Sequence, residues 1–340
     1  MKNKFIFFAL TILFFSCETI VDEVDLSQFP ELREKIVVTS FIGPSNDGII
    51  VRVSKSVPIL GDVKIEYQTV YNENIQDSIV ILKDTKVIED AEVYLIEGRS
   101  KARLNYDKEK FYYTIPNLNI FPGLTYTLVV KALGQTVEAS TTVPLNTVSI
   151  NNFTIKNYFE ITNSFFGKDT AQGYTINFDW KDFGNETNYY KVWGELRYDS
   201  EIPTGTKDSI VYKRRRGFGY LDLNNDFSGD SRYFNDEERN GGEIKITNAR
   251  LLFSRSYSCF GDNFRSDCFP HRIILDSDKE FTIEVANITK ELYDYQNSLR
   301  SFNQNSNNPF SEPSPVYSNI KNGLGIFASY NASQIKQKLN

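Results

Sequence analysis

Histidine is almost missing from this sequence: His271 is the single imidazole in 340 residues. That scarcity removes the commonest general base. No Gly-x-Ser-x-Gly elbow accompanies it, so a Ser–His–Asp hydrolase has no nucleophile to point to. His271 lies between Pro270 and Arg272, at the start of an expected strand, where a structural or surface imidazole is the default reading. No Walker-type phosphate loop or dinucleotide fingerprint occurs, and there is no internal repeat or low-complexity tract. Cysteine is scarce too, with three in the chain. A surplus of positive charge is also lacking. The formal net charge is −6, so nucleic acid is a poor electrostatic match. The apolar stretch from Phe5 to Phe15 is shorter than the about 20 residues that a membrane-crossing helix needs.

What that stretch does have is the form of a secretion signal. Lys2 and Lys4 give a basic start, the apolar run follows, and it stops at Ser16-Cys17. A small residue directly before a cysteine is what lipoprotein signal peptidase requires. Residues 1–16 are therefore expected to be removed, with Cys17 as the lipid-bearing first residue of the mature chain. Phe14 stands where a leucine-like residue is usual. An ordinary signal peptide with an incidental cysteine, and a true membrane anchor, are the competing readings. Each buried methylene contributes about 0.8 kcal/mol, so several acyl chains (palmitate among them) hold firmly where one holds marginally. Residues 17–34 carry Glu18, Asp22, Glu23 and Asp25 with little pattern and read as an acidic tether. Loss of Lys2 and Lys4 takes the charge to −8.

With Cys17 used by lipid, Cys259 and Cys268 remain as an even pair. In an oxidising envelope compartment a close pair reads as a disulfide. A metal site is the alternative and needs more ligands than one histidine and no further cysteine supply.

Hydrophobic residues make up 40% and aromatics 14%, so a packed core is expected. Tyr, Phe, Val, Ile and Thr favour strands. Strand-length runs recur with turns between them, which means a sandwich or barrel. Ile36–Ile42 and Ile49–Val53 flank Gly43–Gly48. Leu104–Tyr106 and Phe111–Ile115 flank Asp107–Lys110. Leu124–Ala132 and Thr136–Val143 flank Leu133-Gly134-Gln135. Pro144 marks a boundary, since proline donates nothing to a ladder. The expected architecture is mainly β, with an Ig-like or transthyretin-like β-sandwich over 35–145 and a second β-rich domain over 146–340. In the second part the expected strands are Tyr174–Trp180, Tyr189–Tyr198, Ser209–Arg215, Glu243–Phe253, Arg272–Leu275 and Glu280–Asn287, then Val316–Ile320 and Leu324–Tyr330. Trp180 and Trp193 are expected to fill its core. One helix is expected over about 289–302, with Leu292, Tyr295, Gln296 and Leu299 on one face.

Three constellations carry possible chemistry. Asp222, Asp226 and Asp230, followed by Asp236, Glu237 and Glu238, crowd one loop rich in Asn and Gly. Calcium takes oxygen ligands from such loops, but the spacing is not that of an EF-hand, and a solvated acidic loop is the competing reading. Lys213-Arg214-Arg215-Arg216 is a compact basic run in an acidic chain. It reads as a contact for an anion or acidic partner, or as an edge-strand guard against aggregation. The many Tyr and Phe suggest a glycan-stacking platform, or simply core and cross-strand pairs.

Several segments together resemble one family. They are Asn308–Pro313, then Val316–Phe327 with its Asn322-Gly323-Leu324-Gly325 run, Glu89–Val93, Thr141–Pro144 and Asn188-Tyr189-Tyr190. They look like the signature blocks of the family called domain of unknown function 4249. Asn322 stands where a glycine is usual, at a position expected to tolerate positive φ. The resemblance implies a Bacteroidota outer-membrane lipoprotein, commonly encoded beside a TonB-dependent receptor, with no established catalytic residues and no resident cofactor. The acidic residues after Cys17 resemble surface-export signals of such lipoproteins, which implies the cell-surface side. The expected role is a non-catalytic accessory or docking partner of a TonB-dependent β-barrel transporter. A surface-exposed glycan- or peptide-binding lipoprotein acting independently is the alternative, and a hydrolase comes third.

Overall fold

Alternation of apolar and polar residues sets most of the strands seen in the computed structural model. It describes residues 34–44, 48–56, 66–72, 77–83, 86–164, 167–184, 186–223, 232–237, 239–254, 256–261, 267–305 and 314–339. The expectations on residues 1–16, on Cys17 and the tether as far as residue 33, and on Asp226, Asp230 and Glu238 lie outside the described residues.

Among the described residues there are twenty strands and one helix. The first half contains β1 (Ile36–Ile42), β2 (Gly48–Lys55), β3 (Glu66–Asn72), β4 (Asp77–Lys83), β5 (Glu92–Glu97), β6 (Ser100–Asp107), β7 (Tyr112–Pro116), β8 (Thr125–Ala132) and β9 (Gln135–Thr142). Two long hairpins follow, β10 (Asn151–Ser164) with β11 (Gly167–Lys181), and β12 (Tyr189–Thr206) with β13 (Ser209–Asp222). Then come β14 (Tyr233–Asn235), β15 (Glu243–Leu252), β16 (Tyr257–Cys259), β17 (Cys268–Pro270), β18 (Arg272–Ile273) and β19 (Lys279–Ile288). The helix α1 (Lys290–Asn305) and the long strand β20 (Leu324–Leu339) end the order. A mainly β chain with one helix near its C-terminal end is what the composition implies.

One hydrogen-bonded path runs β10-β11-β15-β13-β12-β19-β20-β1-β2-β7-β6-β5-β8-β9. Its centre is β20. Residues 324–329 pair in parallel with 37–42 of β1, and residues 330–339 pair antiparallel with 279–288 of β19. One core gathers Val38, Val51, Val93, Tyr113 and Leu128, and takes Phe327 from β20. A second gathers Phe178, Trp180, Tyr190, Ile246 and Phe281. A smaller cluster under α1 joins Leu292 to Ile288, Ile326 and Ala328. The first core runs to Val143 before β20 joins it, the second starts at Val148, and the last strand contributes to both; residues 35–340 form one compact unit.

Local chemistry explains the turns. Asp107 Oδ1 accepts from the backbone N–H of Glu109 at 3.0 Å and of Lys110 at 3.1 Å, which fixes the β6–β7 hairpin. Leu133 at φ 51° and Gly134 at φ 67° form the two-residue turn that matches strand twist between β8 and β9. Buried Tyr113 donates to Ile88 O and accepts from Ala91 N–H, both at 2.8 Å, tying the chain ahead of β5 to the core. Burial pushes its phenol up to about 12, against the opposing pull of the Ala91 amide.

Three expectations need correction. Val316–Ile320 is not a strand. It runs extended beside α1, with the Tyr317 N–H donating to Ser298 Oγ at 2.8 Å. The Asn319 side chain serves both backbone groups of Phe327, donating to its carbonyl at 2.7 Å and accepting from its N–H at 3.0 Å. Trp193 is not in the core. It stands on the opposite face of β12 from Tyr190, Val192, Leu196 and Tyr198, paired with Glu284 across the ladder. Finally, β10 and the long outer parts of β11, β12 and β13 exceed the expected strands, because their exposed ends carry little apolar period.

Candidate functional site

A cleft of about 630 Å³ opens between the outer face of β1–β2 and α1. Strand alternation turns Thr39, Phe41, Ile50 and Arg52 outward, opposite to the core-facing Val38 and Val51. Three tyrosines (Tyr112, Tyr233 and Tyr330) also line it, with Leu292 and Gln296 from α1. Lys191 enters from β12, held by Glu284 at 3.2 Å. Its ammonium lies 6.0 Å from the Tyr330 ring centroid. The expected helix face is therefore used in part: Leu292 is buried and Gln296 faces the cleft. An apolar floor with a few polar groups suits a small ligand or a peptide side chain.

The basic run lies on the outer part of β13. Arg214 and Arg216 share one strand face and both reach Asp199 of β12. Arg214 Nε donates to Asp199 Oδ2 at 3.0 Å, its Nη2 also bonds that oxygen, and Arg216 Nη1 donates to Oδ1 at 2.9 Å. Arg272 stacks on Tyr212 at 3.6 Å on the same face. Burial alone would raise the Asp199 pKa, but the hydrogen bonds and charges of Arg214 and Arg216 outweigh it and hold the carboxyl below its usual range. Lys213 is exposed on the other face, and Arg215 shares that face. The cluster is an ion-pair network, and its effect follows a known sign. A carboxyl held low stabilises the fold above its ordinary range, and that contribution is lost as acid protonates it. Asp199→Asn is therefore expected to lower the Tm near pH 7 at low salt. The loss should shrink in 1 M salt, where charges are screened beyond about 3 Å. A Tm change insensitive to salt would remove the network reading.

Cys259 and Cys268 are joined by a disulfide across the β16–β17 pair. Beside it, Ser258 Oγ and His271 Nε2 are 3.0 Å apart. Burial lowers the His271 pKa and favours the neutral ring. No carboxylate among the described residues reaches the ring, so the pair lacks the group that orients a catalytic imidazole.

Asp222, the described member of the expected calcium trio, ends β13 on the surface, opposite Arg250 of β15. Among the described residues, no group of three His, Cys, Asp or Glu could hold a metal ion. Asp236, at the far end of that acidic run, is instead buried beside Asp182, which the sequence does not single out; they are 1% and 3% exposed. Asp182 follows β11 and Asp236 follows β14. Asp182 Oδ1 accepts from the Tyr190 hydroxyl, and Oδ2 accepts from the Gly241 N–H at 2.6 Å. Among the described residues, both carboxylate oxygens of Asp236 are buried without a hydrogen-bond partner, and so is Asn188 Oδ1. Burial raises the Asp236 pKa, the nearby Asn188 amide opposes that, and the charge and side chain of Asp182 raise it further. No spacing rule joins residues this far apart.

Among the described residues, no helix is long and apolar enough to cross a membrane. No curated protein and no solved structure matches the chain. A family model described as Domain of unknown function (DUF4249) matches residues 21–336, nearly the whole chain. The Asn322-Gly323-Leu324-Gly325 run falls within that match and leads from a turn into β20, with Asn322 at φ 60°. On that match, the chain belongs to the DUF4249 family.

Proposed function

We propose that this chain is a non-catalytic outer-membrane lipoprotein, anchored through Cys17, that docks on a TonB-dependent β-barrel transporter. The observation that carries the reading is the β10–β11 arm. Among the described residues β10 ends the hydrogen-bonded path, so one edge of it is open to pairing. On that edge strand Phe159 and Ile161 are 60% and 62% exposed and share one face by alternation. An open edge with an apolar face suits a protein partner better than a small ligand. The lipid anchor, a signal peptide over residues 1–16, and the cell-surface side of the outer membrane complete the reading. They are supported by the Ser16-Cys17 boundary and by family membership. An Ig-like sandwich over 35–145 is supported by Tyr126 at the start of β8. Its hydroxyl accepts from the Phe121 N–H at 3.0 Å, as in the tyrosine corner of such modules.

The test is affinity purification of the full chain after gentle detergent extraction. A β-barrel partner is expected to co-purify, and Phe159→Asp with Ile161→Asp should lose it while remaining folded and anchored. Recovery of the wild-type chain alone would count against docking. The cleft lined by Tyr112, Tyr233 and Tyr330 favours a second reading, a glycan- or peptide-binding lipoprotein acting independently. Saturable binding of a glycan or peptide by Cys17→Ala protein, lost in Tyr330→Ala, would support that one.

A further inference from the structure

Two loop connections meet at one end of the second core. Asp182 and Asn188 belong to the β11–β12 connection, and Asp236 and Gly241 to the β14–β15 connection. The backbones interlock: Asp182 N–H donates to Gly242 O at 2.9 Å, and Asp236 N–H donates to Asn188 O at 3.2 Å. The loops pack so closely that a Cβ on Gly184 would lie 3.3 Å from Gly241 Cα. Into this contact the chain places two carboxylates and one amide oxygen, each residue more than nine-tenths buried. Among the described residues neither carboxylate makes a salt bridge. An unpaired buried charge is costly, and here two acids share one site.

Two things can discharge such a pair, a shared proton or a bound cation. A shared proton neutralises one carboxylate only. It leaves one negative charge, one bare oxygen on Asp236, and Asn188 Oδ1 still without a donor. A hard divalent cation removes both charges and uses those oxygens directly. The donors are all oxygen and sit on loops, which is the chemistry of calcium more than of zinc or copper. Asp182 retains one lone pair on each oxygen beyond those used by Tyr190 and Gly241. We propose that a calcium ion binds between these loops, held by Asp236 and Asn188 with Asp182 and clamping the β11–β12 connection to the β14–β15 connection. Of the acidic run read from the sequence, this site uses the buried Asp236 and not the exposed Asp222.

The test uses the full-length chain in detergent, stripped with EDTA. Envelope modules bind calcium with a Kd of about 10⁻⁴–10⁻³ M. At 5 mM calcium chloride the Tm is then expected to rise by about 3 °C or more, with a smaller response to magnesium. Terbium offers a second readout. Trp180 packs 5.5 Å from the ring of Tyr190, whose hydroxyl bonds Asp182, so bound terbium should show emission sensitised by excitation of Trp180. Asp236→Asn and Asn188→Ala should each abolish the calcium shift and the terbium signal, while Asp222→Asn should leave both unchanged. Should either substitution prevent folding, terbium titration of the wild-type chain, with calcium competing it off, still decides the matter. Absence of both the Tm shift and the terbium emission in the wild-type chain would overturn the site. So would a response that survives Asp236→Asn.

Discussion

Gly325→Ala is expected to unfold the chain, or to cost at least about 3 kcal/mol, although it adds a single methyl group. Gly325 sits at φ 104°, a backbone conformation that L side chains rarely adopt. An added Cβ would also lie 2.0 Å from Val38 O and 3.0 Å from Val38 N. Both atoms are backbone of β1, so no side chain can swing aside. Only separation of β20 from β1 relieves the clash, and that separation opens the first core at Phe327 while loosening the frame of the second. Amide hydrogen exchange should therefore show β1, β2 and β19 losing protection together. Gly134→Ala is the control. It shares a positive φ of 67° but has nothing within 4 Å of the added atom, so it should cost only about 1 kcal/mol. Equal stability of the two variants, measured by urea midpoint, would dissociate the β20–β1 approach from folding.

Trp180→Ala is expected to cost about 3–5 kcal/mol, a large share of the usual 5–15 kcal/mol that separates folded from unfolded chains. Trp180 is fully buried. Its ring lies 5.5 Å from Tyr190, 5.9 Å from Phe234 and 6.1 Å from Phe178. Removal leaves three aromatic rings facing a void that strands on either side hold open. Among the described residues its indole Nε1 has no hydrogen-bond partner, so deletion relieves one unsatisfied donor and offsets a little of the loss. Trp193→Ala supplies the contrast. That ring lies on the outward face of β12, and its loss should cost about 1 kcal/mol or less. A urea midpoint for Trp180→Ala within error of wild type would show that this cluster does not support the fold.

The contrast between the two tryptophans shows what the sequence makes legible. Both lie in strand-like runs, and aromatic content alone sends both inward. Parity separates them: Tyr190, Val192, Leu196 and Tyr198 take the inward positions, and an odd-numbered residue between them points out. Short-range features were readable because their causes are local. The Asp107 turn, the Leu133-Gly134 turn and the helix after Thr289 each follow from residues within a few positions of one another. Asn322 likewise takes the positive φ expected of it. The β10–β11 hairpin was hidden because its outer half buries little, so no apolar period marks it. Val316–Ile320 has the composition of a strand, yet side-chain amides and hydroxyls of Asn319 and Ser298 take over the bonds a ladder would make.

The candidate site was legible only in part. The Cys259–Cys268 bridge follows from counting and compartment. The basic run was found as a motif, but its meaning depends on Asp199, which the β12–β13 register brings beneath Arg214 and Arg216. Asp182, Asn188 and Asp236 carry no motif, since two separate connections must fold before these residues come together. Acidic composition marks the stretch around residue 236, but nothing in it signals that Asp236 is buried beside Asp182.

The parallel pairing of β1 with β20 also sets an order of assembly. Its partners are separated by nearly the whole described chain. Such non-local parallel contacts form slowly, because a long loop must close before any bond rewards it. As the polypeptide emerges from the ribosome or a translocation pore, β1 and β2 are made early but keep an open edge until the last strand arrives. A copy cut short before residue 324 would present that edge as a template for pairing with other chains. Cellular quality control would thus meet truncated copies as aggregating species rather than as smaller working proteins.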